Sequence, residues 1–156
     1  HSQYLRRLFL EDALAEGHYR VEGRAISLSS IRVPMFVVGT ETDHVAPWRS
    51  VHKIHWLTGA EITFVLTSGG HNAGIVSEPG HPHRHYHMLE RPLDGPALSP
   101  EEWTEQAPDH PGSWWVAWKE WLDAHSGDPV APPAMGAPDK GYAAICDAPG
   151  RYVLEH

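Results

Sequence analysis

Two polar turns carry residue types that can do chemistry together. Thr40-Glu41-Thr42-Asp43-His44 follows the apolar run Met35-Phe36-Val37-Val38-Gly39, and Ser68-Gly69-Gly70-His71 follows the run Glu61 to Leu66. A carboxylate beside an imidazole selects one ring tautomer and stabilises the imidazolium formed when the ring takes a proton. Asp43 and His71 are therefore a candidate acid–base pair, with His44 as a possible supporting residue beside it. Each also has a structural reading, since Asp is a common turn former and His44 or His71 can simply belong to its turn. The nucleophile that such a pair would serve is missing. A nucleophile elbow needs small residues around its Ser or Cys because the turn is strained, and no such pentapeptide occurs in this chain. Cys146, the only thiol, lies in Ala144-Ile145-Cys146-Asp147-Ala148-Pro149 without a strand-to-helix turn, and reads as inert.

The stretch His81-Pro82-His83-Arg84-His85-Tyr86-His87 invites a metal reading. Alternate imidazoles in a Pro-broken loop lack the helical spacing of a dedicated site, and no Cys or carboxylate ligands accompany them. A solvated loop is the expectation, with no metal and no cofactor.

The elements that must position Asp43 and His71 follow from periodicity. Met35–Gly39 and 61–66 are continuous apolar runs of strand length, the habit of strands buried on both faces of a parallel sheet. Between them, Pro47 suits the first turn of a helix over 48–57. Strand, helix and strand with short connections predict a right-handed crossover, which brings the two polar turns to the same sheet end. Upstream, Leu5, Leu8, Phe9 and Leu14 predict a helix over 4–15, and 18–28 reads as extended. Downstream, 78–98 reads as an irregular Pro-, Gly- and His-rich excursion. Ser99-Pro100-Glu101-Glu102 is a capping box opening a helix to about Gln106. A helix over 113–125 carries Trp114, Trp115, Trp118, Trp121 and Leu122 as an apolar stripe, read as core. Residues 128–153 read as an extended tail wrapping the surface.

Composition sets the class. The 156 residues are 41% hydrophobic with seven Trp, enough for a core anchored by aromatics. A formal net charge of −8 argues against a nucleic-acid partner. No apolar run approaches the roughly 20 residues that a membrane span requires. A lone Cys fits a reducing, cytoplasmic setting. The chain opens without Met on what reads as the middle of a helical region, and Leu154-Glu155-His156 reads as a cloning junction and the start of a tag. Residues 1–153 are accordingly taken as one portion of a larger catalytic domain.

Four ordered motifs carry a family resemblance. Asp43-His44-Val45-Ala46-Pro47-Trp48, Phe64-Val65-Leu66 through Gly70-His71-Asn72-Ala73-Gly74, His110-Pro111-Gly112-Ser113-Trp114-Trp115, and Ala148-Pro149-Gly150-Arg151-Tyr152-Val153 closely resemble segments of poly(3-hydroxyalkanoate) synthases. The opening Tyr4 to Glu11 is similar to the helix preceding these strands. Ser68-Gly69-Gly70 departs locally, with an extra Gly where many family members have Ser. The resemblance implies the C-terminal part of an α/β-hydrolase fold, with parallel strands, flanking helices and a truncated sheet. Acid followed by base, each after a strand, is also the order that fold uses beyond its nucleophile. The resemblance further implies a cytoplasmic, granule-associated acyltransferase that polymerises (R)-3-hydroxyacyl-CoA into polyester and releases CoA. It places Asp43 and His71 on the family's Asp and His, with the catalytic Cys elsewhere and not at Cys146. The expected partners are the CoA thioester, the polyester chain and the granule surface. The alternatives are a depolymerase or thioesterase with the same triad, and a non-catalytic granule-binding module using the Trp face. A truncated sheet is also expected to leave an unpaired edge or apolar surface, and with it a tendency to form homo-oligomers.

Overall fold

The computed structural model describes residues 1–155, and the chain divides into two compact units, His1–His125 and a shorter one beginning at Ser126. In the first unit a short helix, α1 (Ser2–Leu5), passes into a π-helical turn over Arg6–Leu10. The helix expected over 4–15 stops early because Asp12 takes a left-handed φ of 47°, which ends the helical path before Leu14. Glu22 and Gly23, both at positive φ, form the two-residue turn of a small hairpin, β1 (Arg20–Val21) with β2 (Arg24–Ala25).

The crossover that positions the candidate pair is present. β3 (Met35–Thr40), α2 (Trp48–His52), α3 (Ile54–Leu57) and β4 (Ile62–Thr67) follow in order, with β3 and β4 parallel in the register Met35↔Ile62 to Thr40↔Thr67. The helix expected over 48–57 is divided at Lys53 into two short pieces, and Trp48, Val51 and Ile54 still all reach the same core.

The rest of the sheet corrects two expectations. Residues 78–98 are not irregular throughout, because β5 (His85–Arg91) lies antiparallel to β4. After it come α4 (Pro100–Gln106), β6 (Asp109–Pro111), antiparallel to β5, and α5 (Trp115–Ala124). The sheet order β3-β4-β5-β6 is thus mixed, with one parallel pair rather than parallel strands throughout. The His-rich composition hid β5, yet its alternation sends Tyr86 and Met88 to one face and Leu89 to the other. The expected solvated His81–His87 loop therefore ends at Arg84. His85 and His87 belong to the strand and approach Glu41 at 3.3 Å and Asp109 at 3.9 Å.

Helices cover both sheet faces, an α/β arrangement. On one side Ile62, Phe64 and Leu66 of β4 pack with Trp103 and Ala107 and with Trp48, Val51 and Ile54. On the other, Val65 and Tyr86 pack with Trp114 and Ala117 of the α5 region. All six residues of β4 are buried. The capping box of α4 forms as expected: Ser99 Oγ accepts from the Glu102 N–H at 3.2 Å, and Glu102 Oε2 accepts from the Ser99 N–H at 2.8 Å. The Trp stripe of α5 is only partly core. Trp114 is buried, whereas Trp118 and Leu122 stay about two-fifths exposed. Among the described residues β3 has a strand partner on one side only, and its first four residues are half-buried although their sequence is that of a strand covered on both faces.

The unit from Ser126 is described by itself. It holds 3-10 turns at Pro138–Lys140 and Tyr152–Leu154 and a single bridge, Ala137↔Tyr142. Ile145 and Cys146 are exposed there.

Two histidines that the sequence did not mark lie in the core. His52 and His55 are buried with ring centroids 4.5 Å apart, packed on Phe64, and their four ring nitrogens have no hydrogen-bond partner among the described residues. Burial, reinforced by His52 and Arg91, pushes His55 down to about 4, and burial also lowers His52. The unfolded chain takes up a proton near pH 6.5 that folded His55 refuses until about pH 4. Stability is therefore full above pH 6.5 and falls as pH drops towards 4, by on the order of 3 kcal/mol. The urea midpoint is expected to fall between pH 7 and 4.5, and less so in His55→Leu. An unchanged wild-type midpoint would contradict this.

Candidate active site

Because β3 and β4 are parallel and in register, Thr40 and Thr67 end them side by side. Two backbone bonds continue the pairing past the strands: the Glu41 N–H donates to Thr67 O at 3.0 Å, and the Thr42 N–H donates to Gly69 O at 3.1 Å. The two turns therefore start locked together. In the first, the N–H groups of Val45 and Ala46 donate to Asp43 Oδ1 at 2.8 and 2.9 Å, which fixes the carboxylate plane. The other oxygen, Oδ2, lies 2.9 Å from His71 Nδ1, with the Thr40 hydroxyl at 3.4 Å.

The electrostatics follow from these contacts. The Ala46 N–H, against some desolvation and aided by His71 and the Val45 N–H, holds Asp43 down to about 2. An ionised carboxylate only accepts, so Nδ1 of His71 carries the proton and donates. Nε2 is left as the basic nitrogen. The Asp43 side chain is 7% exposed and the His71 side chain 49%. The carboxylate is sheltered and the imidazole open, an arrangement in which the one can orient the ring and the other can exchange protons with an arriving group.

The turn carrying His71 is built on glycine. Gly69 has a φ of +104°, and a Cβ on it would meet Gly74 N at 3.0 Å. A Cβ on Gly74 would meet Thr40 Cγ2 at 2.5 Å, so the chain folds back from His71 onto the end of β3 as only glycine permits. The Gly74 N–H closes this turn on Gly70 O at 2.8 Å.

Sequence comparison gives this arrangement its context. Over 156 residues the chain is 38% identical to the poly(3-hydroxyalkanoate) polymerase subunit PhaC of Rhizobium etli, covering 99% of this chain and 23% of that protein. It is 36% identical to the poly(3-hydroxyalkanoate) polymerase of Methylorubrum extorquens (98% and 24% covered) and 36% identical to the polymerase subunit PhaC of Cupriavidus necator (96% and 25%). The chain is a homologue of the poly(3-hydroxyalkanoate) polymerases. It spans about a quarter of the length of these curated relatives. No family model matches it.

In this polymerase homologue the structure brings Asp43 and His71 together. His44 is exposed beside the pair and makes none of its hydrogen bonds. Cys146 is exposed in the other unit. Sequence reasoning passed over Arg84, Ser113, Trp114 and Trp115 as neighbours of the His71 turn. Arg84 Nη2 donates to Ala73 O at 2.7 Å, and the indole N–H groups of Trp114 and Trp115 donate to Gly74 O at 3.0 Å and Ile75 O at 2.9 Å. The motif containing Ser113-Trp114-Trp115 was visible in the sequence, but helical periodicity gives only its apolar stripe and says nothing of where an indole N–H goes.

Proposed function

We propose that this chain is the C-terminal quarter of a poly(3-hydroxyalkanoate) polymerase of α/β-hydrolase type, supplying the acid and base of a Cys-His-Asp triad. The observation that carries the reading is the 2.9 Å contact of Asp43 Oδ2 with His71 Nδ1 at the carboxyl ends of two parallel strands. The polymerase names of the relatives support polyester synthesis over hydrolysis. His71 Nε2 takes the proton of a Cys thiol on the remaining sequence, and the thiolate attacks the acyl carbonyl of a 3-hydroxyacyl-CoA thioester. The CoA thiolate leaves and is protonated from the imidazolium. In chain growth His71 accepts the proton of a hydroxyacyl hydroxyl as its oxygen attacks the neighbouring acyl thioester; the C–S bond breaks, the released thiolate takes that proton back from the imidazolium, and Asp43 stabilises each imidazolium. Such an enzyme works where soluble thioester and growing polyester meet, at a granule surface in the cytoplasm.

Incubated alone with (R)-3-hydroxybutyryl-CoA, the chain is expected to release no CoA above background, because the nucleophile is not on it. Joined in frame to the remaining part of a polymerase from one of the relatives, it is expected to release CoA and form polymer. Rapid CoA release by the chain alone would overturn the reading.

A further inference from the structure

The backbone after His71 runs as a turn and an unpaired stretch from Asn72 to Ser77; Asn72 O accepts the Ile75 and Val76 N–H groups at 3.1 and 2.9 Å, while the carbonyls of Ala73, Gly74, Ile75 and Ser77 are met by side-chain donors from outside the segment. Three consecutive side chains at the start of α5 provide them. The Ser113 hydroxyl donates to Ser77 O, the Trp114 indole N–H to Gly74 O at 3.0 Å, and the Trp115 indole N–H to Ile75 O at 2.9 Å. From the other side the Arg84 guanidinium donates to Ala73 O at 2.7 Å and lies 3.4 Å from Ser68 O, so it spans the turn containing His71. Ser113 also accepts from the Trp115 N–H at 3.1 Å, which ties the donor cluster to the helix.

These bonds have a specific leverage on the pair. Gly74 is the closing residue of the turn that begins at Gly70, with His71 inside it. It is pressed against Thr40, whose hydroxyl lies beside Asp43 Oδ2. A displacement of Gly74 therefore shifts His71 directly and reaches Asp43 through a single residue. The backbone bonds of the loop over 72–77 run within its own turn, so the side-chain donors are what fasten it to the starts of β5 and α5.

We propose that Ser113, Trp114, Trp115 and Arg84 are positioning residues that hold the His71 turn in register with Asp43 by donating to the carbonyls on either side of it. The proposal rests on the reading of Asp43 and His71 as an acid–base pair. The test uses Trp115→Phe, which keeps a ring and removes one N–H on a half-exposed residue, and the combination Trp114→Phe with Trp115→Phe. Trp118→Phe, whose indole is outside the donor set, is the control. The readout is the low-field Nδ1–H resonance of His71 in the full chain, compared with amide exchange in β4. In Trp115→Phe the His71 N–H is expected to exchange with water roughly tenfold faster, the equivalent of one lost hydrogen bond, with β4 protection and the Trp118→Phe control unchanged. The combination is expected to exchange faster still. If it does not fold, Trp115→Phe with Arg84→Lys decides. An unaltered His71 resonance in these variants would overturn the proposal, as would a loss matched by equal loss of protection in β4. Absence of the resonance from the wild-type chain would instead remove the acid–base reading on which the proposal rests.

Discussion

On the proposed acid–base reading, replacing His71 with Ala in the in-frame fusion with the remaining part of a relative's polymerase is expected to lower turnover by roughly 10²–10⁴-fold, the range for loss of a positioned general base. No neighbouring group replaces it. Asp43 has one oxygen taken by two backbone N–H groups and is held down to about 2, so near neutral pH it is a poor base. The His44 side chain is exposed, and none of the hydrogen bonds that fix the carboxylate involves it. Folding is expected to survive, because the ring is half exposed and an exposed substitution usually changes stability by within about 0.5 kcal/mol. Asp43→Asn is expected to fall in the same range by a different route: an amide N–H facing Nδ1 would favour the other tautomer and place the ring proton on Nε2. CoA release and polymer yield measure both variants. Near-normal turnover by a folded His71→Ala protein would rule out the base role.

Arg91→Met is expected to destabilise the chain by about 3 kcal/mol without touching the pair. Arg91 is 6% exposed and donates to three backbone carbonyls: His55 O, Thr58 O at 2.8 Å and Ala60 O at 2.6 Å. These carbonyls close α3 and lead into β4, so one guanidinium on β5 fastens the crossover to the strand beside it. Each buried carbonyl left without a donor costs about 1–3 kcal/mol, and the relief of desolvating a cation offsets part of the sum. Met fills similar space, which isolates the loss of the fork. Arg91→Lys keeps the charge but not the planar set of donors and is expected to lie between the two. Urea unfolding at pH 7 measures this as a lower midpoint with an unchanged slope. A loss below about 1 kcal/mol would mean that the freed carbonyls reach water.

Both predictions concern residues that differ in how visible they were in the sequence. Asp43 and His71 were legible because each follows a short run of apolar residues of strand length, and a polar turn after such a run can only lie at the sheet end. The capping box at Ser99 and Glu102 was legible for a similar reason, since its partners are three residues apart and need no tertiary information. Arg91 was not legible. It stands at the end of β5, a strand masked by Pro, Gly and His, and its three acceptors are more than thirty residues upstream. His52 and His55 likewise read as polar positions in a helix until Phe64 and Trp103 are packed over them.

The division has a physical basis. Local sequence determined the strand–helix–strand crossover, the two turns at its end and the placement of Asp43 and His71 in them, because periodicity, caps and turn chemistry act over a few residues. Tertiary structure alone decided the rest. It set the 2.9 Å contact between Asp43 and His71, the antiparallel strands that complete the sheet, and the side-chain donors that hold the His71 turn. Those depend on which distant carbonyls are left without a partner when the chain closes, a property of the packed molecule and of no single segment.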